Sequence, residues 1–526
     1  MGVFFSSLDS FVLTPTLTQS PPVNSSRMTI ACLGIALTAG LTYAISLKGG
    51  FVYDDVAAIV GDGRITDLAR WKQLWTGGVW QISPDRLYRP IPAQTYAIQW
   101  WLSPNQPWSF HLFNILLHAF VSVLVAKLGQ RLAGDVPGIV GGLLFAVHPV
   151  HVEAVANIVG RAELLCTAGA VSAILLLLNR PMSVGRAFGI SACMLVAIFS
   201  KEHALTIPFL LFLAWITQRD RRPIDPAEKR SLQWCVVMVC YFFFGYVFLR
   251  EFILNLKMTF EAKQIAWVQN PIIYSTGLDR ILLPVTVFGH YTHLLLAPSH
   301  QSPDYGGLVF GSQFRWSDPF SIVGFLAIAF IVILTWRAWR KRDLAVLFLI
   351  SGFLLTYGLI SNSILLIATP LGERLAYLPS VFVCLLLGIA ASQLSKRVLV
   401  LILAVIVPLA AYRTGAYSFA WNNIDRLVAT SLDNQPRTSR LYVIQGVLWF
   451  ENGEYERAEK LLVEARKIAS RDHTVYSLSA DIALHLGKLD EADAFLKQAI
   501  AIDLQPSMSE LAVRIGRARA ATRPAQ

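Results

Sequence analysis

A chain of 526 residues that is 55% hydrophobic and 15% charged, with a mean hydropathy of +0.52, cannot hide its apolar side chains in soluble cores, so it reads as an integral membrane protein. Its formal net charge of +11 is not a nucleic-acid footprint, because the basic residues fall in short clusters between apolar runs, as positive-inside topology requires. The six cysteines lie in or beside those runs without a CxxC spacing, which excludes a secreted disulfide framework and gives no zinc signature.

Residues 1 to 27, rich in Ser, Thr and Pro, read as a flexible tail. The run from Met28 to Leu47 is long enough to cross about 30 Å of hydrocarbon. It ends without a small-residue cleavage site and is expected to remain as a signal anchor. Residues 48 to 108 form a first outer loop, whose scattered Trp71, Trp75, Trp80, Trp100, Trp101 and Trp108 suit helices lying along the membrane interface.

Further spans are expected at about 110–126, 137–152, 163–178, 187–200, 204–218, 231–250, 319–338, 344–360, 376–394 and 398–415, roughly eleven in all. Lys127 and Arg131, Arg180 and Arg186, the cluster from Arg219 to Arg230, and Arg337 to Arg342 then share one face. For that alternation to hold, the apolar run Ile281 to Leu296 must be re-entrant or interfacial, and the C-terminus must lie outside.

From residue 419 onward the chain turns charged and helix-forming. Gly446, Gly453, Ala458 and Ala465 recur 34 residues later as Ala480, Gly487, Ala492 and Ala499. That period with small residues at those offsets is the tetratricopeptide pattern, in which small side chains let paired helices pack closely. Residues 419–526 are therefore expected to form helical repeats, either as a spacer or as a platform for a polypeptide.

Polar groups interrupt the apolar segments at a few places. Asp54 and Asp55 adjoin the first span, where an unpaired charge in hydrocarbon costs several kcal/mol, so they should face water or a polar cavity. His148-Pro149-Val150-His151-Val152-Glu153 ends the third span, and Arg161 follows. Two imidazoles and a carboxylate are a possible divalent-ion set, but Pro149 breaks their helical register, which favours a polar cluster that orients substrate. Arg161 is expected to meet a phosphate. Lys201-Glu202 lies between two spans, and Tyr88-Arg89-Pro90 in the outer loop. His111, Asn114 and His118 share one helical face, and Glu373-Arg374 precedes a late span. Asp54, Asp55, Arg89, His148, Glu153, Arg161, Lys201, Glu202 and Arg374 all map to one membrane face. Such a mixed cavity suits transfer from a lipid-linked phosphate donor, with cations holding the leaving phosphate and a carboxylate deprotonating the acceptor.

Phe51-Val52-Tyr53-Asp54-Asp55, Tyr88-Arg89-Pro90, His148 through Glu163, Ser200-Lys201-Glu202 and Glu373 through Ser380 together resemble the transmembrane and tetratricopeptide repeat-containing O-mannosyltransferases. The likeness runs in order from about residue 50 to 500. It implies an all-α polytopic membrane protein with a GT-C glycosyltransferase-like domain over 28–418 and repeats over 419–526. It also implies a polyprenyl-phosphate sugar donor, transfer of mannose to Ser or Thr hydroxyls of polypeptides, and no required metal. By the same likeness Asp54 is the base and Asp55 a helper, in either order. Arg89, His148, His151, Glu153, Arg161, Lys201, Glu202, Glu373 and Arg374 bind substrate or phosphate. The short repeat array points to a bacterial inner-membrane homologue working in the periplasm, or to the lumenal side of the endoplasmic reticulum in a eukaryote. A transferase acting on lipid or glycan, and a membrane-anchored repeat scaffold, remain alternatives.

Overall fold

The computed structural model describes residues 25–78, 87–179, 181–217, 225–254, 267 and 269–521. The expected tail up to residue 24, residues 79–86 of the first outer loop, Arg180 and the basic loop 218–224 lie outside the described residues. Among those described, helix is the only regular secondary structure. That is what long apolar runs impose where no water can satisfy backbone N–H and C=O groups.

Each of the eleven expected spans is helical. Seven are long and apolar enough to cross a membrane: Ser26–Lys48, Pro107–Ala133, Ile158–Leu178, Pro226–Ile253, Pro319–Lys341, Glu373–Ala391 and Lys396–Ala420. An eighth is a pair, Asp135–Val147 and Pro149–Val155, bent by 53°. The break falls at His148-Pro149, where proline has no N–H to continue the helix. Three shorter apolar helices are Val184–Ile198, Glu202–Thr217 and Leu344–Gly358.

The helices that position the site are α1 (Ser25–Tyr43), α2 (Pro90–Leu102), α3 (Pro107–Ala133), α4 (Asp135–Val147), α5 (Arg161–Leu178), α6 (Val184–Ile198), α7 (Pro226–Leu254), α8 (Tyr377–Ala391) and α9 (Lys396–Ala420). Contacts group the chain into two units, and residues 1–259, 325–359 and 374–422 form the first. Its centre is the packing of α3, α4 and α8, which glycines bring close. A Cβ on Gly138 would lie 2.4 Å from the Ala126 carbonyl oxygen, and one on Gly388 2.4 Å from that of Pro137. In lipid, where helices gain nothing by hiding apolar side chains from each other's surroundings, such close backbone contact drives association. It fixes the end of α4, and hence residues 148–153.

The second unit comprises residues 260–324, 360–373 and 423–526. Here α10 (Asp279–Leu296) packs on the first turns of α11 (Pro319–Lys341). A Cβ on Gly289 would clash with the Phe320 carbonyl oxygen at 1.8 Å. C-terminal to it, α12 (Ile424–Asn434) precedes two hairpins, α13 (Ser439–Glu451) with α14 (Tyr455–Ile468) and α15 (His473–His485) with α16 (Leu489–Ile502), and α17 (Pro506–Ala521) follows. Gly453 and Gly487 turn the two hairpins with φ of 76° and 73°, the left-handed conformation glycine adopts without strain. Ala458, Ala465, Ala480, Ala492 and Ala499 are wholly buried between the helices, as the 34-residue spacing of small residues requires.

Candidate active site

Asp54 and Asp55 have different surroundings although they are adjacent. Asp54 Oδ2 accepts a hydrogen bond from Arg374 Nη1 at 2.7 Å, and its side chain keeps 13% of its surface. Glu153 closes the other side of the same guanidinium: its carboxylate accepts from the Arg374 backbone N–H at 2.9 Å and lies 3.4 Å from Nε. Arg374 therefore holds two carboxylates that would otherwise repel each other, and 30% of its side chain remains open.

Asp55 is buried, with 1% exposed. Its carboxylate accepts backbone N–H groups from Val52 at 3.4 Å, Ile158 at 3.3 Å and Val159 at 2.9 Å. Burial pushes its carboxyl up to about 7, against the pull of these three donors toward the charged form. These bonds tie the 52–55 turn to the 158–159 turn. The resemblance casts Asp55 as a helper; the structure places it buried against backbone N–H groups.

The turn carrying Asp54 is strained. Tyr53 has φ of 59°, a conformation that costs a non-glycine residue about 1–3 kcal/mol. Its ring meets that of Trp421 edge-on, with centroids 6.1 Å apart, and Trp421 is almost wholly buried. The next residue completes the clamp: Asn422 O accepts from Gly50 N at 3.3 Å, and Asn422 Nδ2 donates to Ile45 O at 3.0 Å. Sequence reading missed Trp421 and Asn422, since nothing local links them to a turn some 370 positions earlier.

Further charges complete the cluster. Arg89 donates through Nε and Nη2 to Glu202, at 3.1 and 2.6 Å. Lys201 Nζ lies 2.8 Å from Glu163, whose other oxygen is 3.1 Å from His203 Nδ1. Glu163 and His203 are not among the expected binding residues; their signal is the need of a buried Lys201 for a partner.

Three expectations change. Arg161 does not stand open to a phosphate. It is fully buried, its donors go to Asn114 Oδ1, Thr95 Oγ1, Gln99 Oε1 and Phe110 O, and its guanidinium stacks on Tyr96 and Phe113 at 4.6 and 4.4 Å. Asn114 in turn donates to the carbonyls of Val155, Asn157 and Ile158, so the pair braces the turn that Asp55 also grips. His148 and His151 serve the bundle: His151 bonds Phe145 O at 2.9 Å and Ser380 Oγ at 2.8 Å, while His148 Nδ1 accepts from Val150 N. Glu373 is buried within the second unit, bound by Gln301 Nε2, Ser302 N and Tyr305 OH. Among the described residues no three His, Cys, Asp or Glu side chains gather as metal ligands.

A partly open acid on a fixed guanidinium, with two more cations in the cluster, is a set of groups for moving a proton and holding an anion. No family model matches the chain. It is 28% identical over 445 residues to a Caenorhabditis elegans protein O-mannosyl-transferase, covering 81% of this chain and 61% of that protein. Its curated relatives are protein O-mannosyl-transferases. Human TMTC3 is 39% identical over 139 residues, 25% of this chain and 15% of its own length, and Drosophila melanogaster Tmtc2 is 27% identical over 302 residues, 54% and 31% respectively. The chain thus spans less than two thirds of these relatives. Among solved structures, it aligns with ArnT from Cupriavidus metallidurans bound to undecaprenyl phosphate, at a TM-score of 0.40 and 15% identity over 91% of this chain and 81% of that one. Archaeal AglB from Archaeoglobus fulgidus, in complex with an inhibitory peptide and a dolichol-phosphate, aligns with a TM-score of 0.42 and 11% identity over 78% and 59%.

Proposed function

We propose that this chain is a membrane glycosyltransferase of GT-C type that moves a sugar, mannose by the names of its relatives, from a polyprenyl-phosphate donor to Ser or Thr hydroxyls of polypeptides on the outer face. The observation that carries this reading is the Asp54–Arg374–Glu153 constellation. Asp54 has one oxygen engaged by Arg374 and a second for which no partner is seen among the described residues. That second oxygen takes the hydroxyl proton as the acceptor oxygen attacks the anomeric carbon. The bond from that carbon to the phosphate oxygen breaks on the opposite side, and the polyprenyl phosphate leaves with the electron pair. The open face of Arg374, with Arg89 and Lys201, stabilises its charge. The carboxylates on these cations keep them oriented and nearly neutral until the phosphate arrives. In this reading the 34-residue repeats are tetratricopeptide units that present the acceptor.

The test is transfer of labelled sugar from synthetic polyprenyl-phosphate-mannose by the purified protein, with and without EDTA. Asp54→Asn keeps the hydrogen bond to Arg374 and removes the base, so turnover should fall by about 10²- to 10⁴-fold in a folded protein. Near-normal turnover in that variant would remove Asp54 from the role. Absence of label on any acceptor, across several sugars, would sink the transferase reading.

A further inference from the structure

In the second unit, two adjoining cavities of about 220 and 280 Å³ share Val309, Phe310, Gln313, Arg315 and Arg437 in their walls. Arg315 comes from the segment before α11 and Arg437 from the turn between α12 and α13, so 122 positions of chain separate two guanidinium groups on one hollow. Trp267 walls the second cavity, and Arg471 stands 5.9 Å from its ring. Among the described residues none of these three arginines has a carboxylate within ion-pairing distance. The neighbouring repeats differ: Lys488 pairs with Glu459, Arg514 with Asp481 and Arg519 with Asp490. The acid in the lining, Asp318, accepts from Phe320 N at 2.9 Å and is used to start α11. Like charges gathered without a counter-charge repel, and a shared anion relieves this.

Where the hollow lies says which anion. Arg315 is four residues ahead of Pro319, where a 23-residue apolar helix of membrane-spanning length begins. Four residues reach at most about 13 Å, and the headgroup layer outside the hydrocarbon is roughly 5–7 Å thick on each side. Trp316, 66% exposed, sits beside Arg315 where interfacial tryptophans belong. We propose that Arg315 and Arg437 form a binding site for the phosphodiester headgroup of an anionic membrane lipid, with Gln313 as a polar neighbour and Trp267 and Phe310 as walls. An acidic stretch of polypeptide offers the same charge, but it gives no reason for the site to open beside the first turn of a membrane helix. The site shares no residue with the cluster around Asp54, and its occupancy stands or falls without reference to glycosyl transfer.

The test uses the full chain in nanodiscs of phosphatidylcholine, with or without phosphatidylglycerol. Lipid that stays bound after extraction is counted by native mass spectrometry, and thermal stability is read in parallel. The wild type should retain phosphatidylglycerol over phosphatidylcholine and be stabilised by it, more so at low salt. The double variant Arg315→Gln, Arg437→Gln should lose at least ~10-fold of that preference, since each basic group near an anionic surface contributes about 1 kcal/mol. The corresponding double lysine variant should keep part of it, which separates charge from folding. Equal retention by wild type and the glutamine variant would overturn the proposal. So would an equal stabilisation by inorganic phosphate alone, which would make this a free-phosphate site, or by an acidic peptide when phosphatidylglycerol has no effect.

Discussion

Arg374 meets Asp54 through one nitrogen and Glu153 through another, a geometry that needs a planar fork. Arg374→Lys keeps the charge but offers a single point, so it should hold one carboxylate and release the other. The expected outcome is a fall of about 10-fold or more in kcat/KM, checked by steady-state sugar transfer. The neighbouring Asp55 leads to a pH dependence. Its folded value of about 7 lies above the ordinary 3.8, so between these limits the folded chain binds more protons than the unfolded one. Stability contributed by the protonated form is present at the acid end and is lost as pH rises toward 7. Thermal melts across that window should show a declining Tm for the wild type and a flatter profile for Asp55→Asn.

At the scale of elements, the strained turn is held from behind by the end of α9. Trp421→Phe keeps an aromatic edge for Tyr53, whereas Trp421→Leu removes it. We expect the phenylalanine variant to retain most turnover and the leucine variant to lose kcat with little change in donor KM. A loss confined to KM would show that Trp421 does not aim Asp54. A second element, the 155–161 turn, tolerates no side chain at Gly160: a Cβ there would lie 2.3 Å from the Ala154 carbonyl oxygen. Gly160→Ala should cost about 1–3 kcal/mol through overpacking, read as a lowered Tm together with weakened activity. Arg161 braces the same turn through Asn114, its guanidinium donating to the neutral acceptors Asn114 Oδ1, Thr95 Oγ1, Gln99 Oε1 and Phe110 O.

At the scale of the molecule, α11 leads to a testable expectation about orientation. Its last turn carries Arg340 and Lys341, followed by Arg342, while Trp316 and Asp318 precede its start. The positive-inside rule predicts that the basic end faces the cytoplasm. In a background lacking the exposed Cys240, a membrane-impermeant maleimide should label Trp316→Cys in intact cells and Lys341→Cys only after permeabilisation. The reverse labelling would turn the protein over and place Asp54 on the cytoplasmic face.

The sequence by itself determined that this is a membrane chain, because apolar runs of twenty residues have one solution in hydrocarbon. Every one of the eleven expected segments is helical for that reason, and the 34-residue recurrence of small residues reappears as buried alanines and two left-handed glycines. Asp54, Glu153 and Arg374 were legible as charges that an apolar chain does not carry idly. What only the tertiary structure decided is which charge meets which. Arg374 reaches Asp54 across 320 positions, Lys201 finds Glu163 across α5 and α6, and Trp421 stands behind Tyr53. The same packing buries Arg161, His151 and Asp55 among hydrogen-bond partners from other elements. Local pattern records that a polar group must be satisfied; the partner that satisfies it is chosen by helices meeting far apart in the chain.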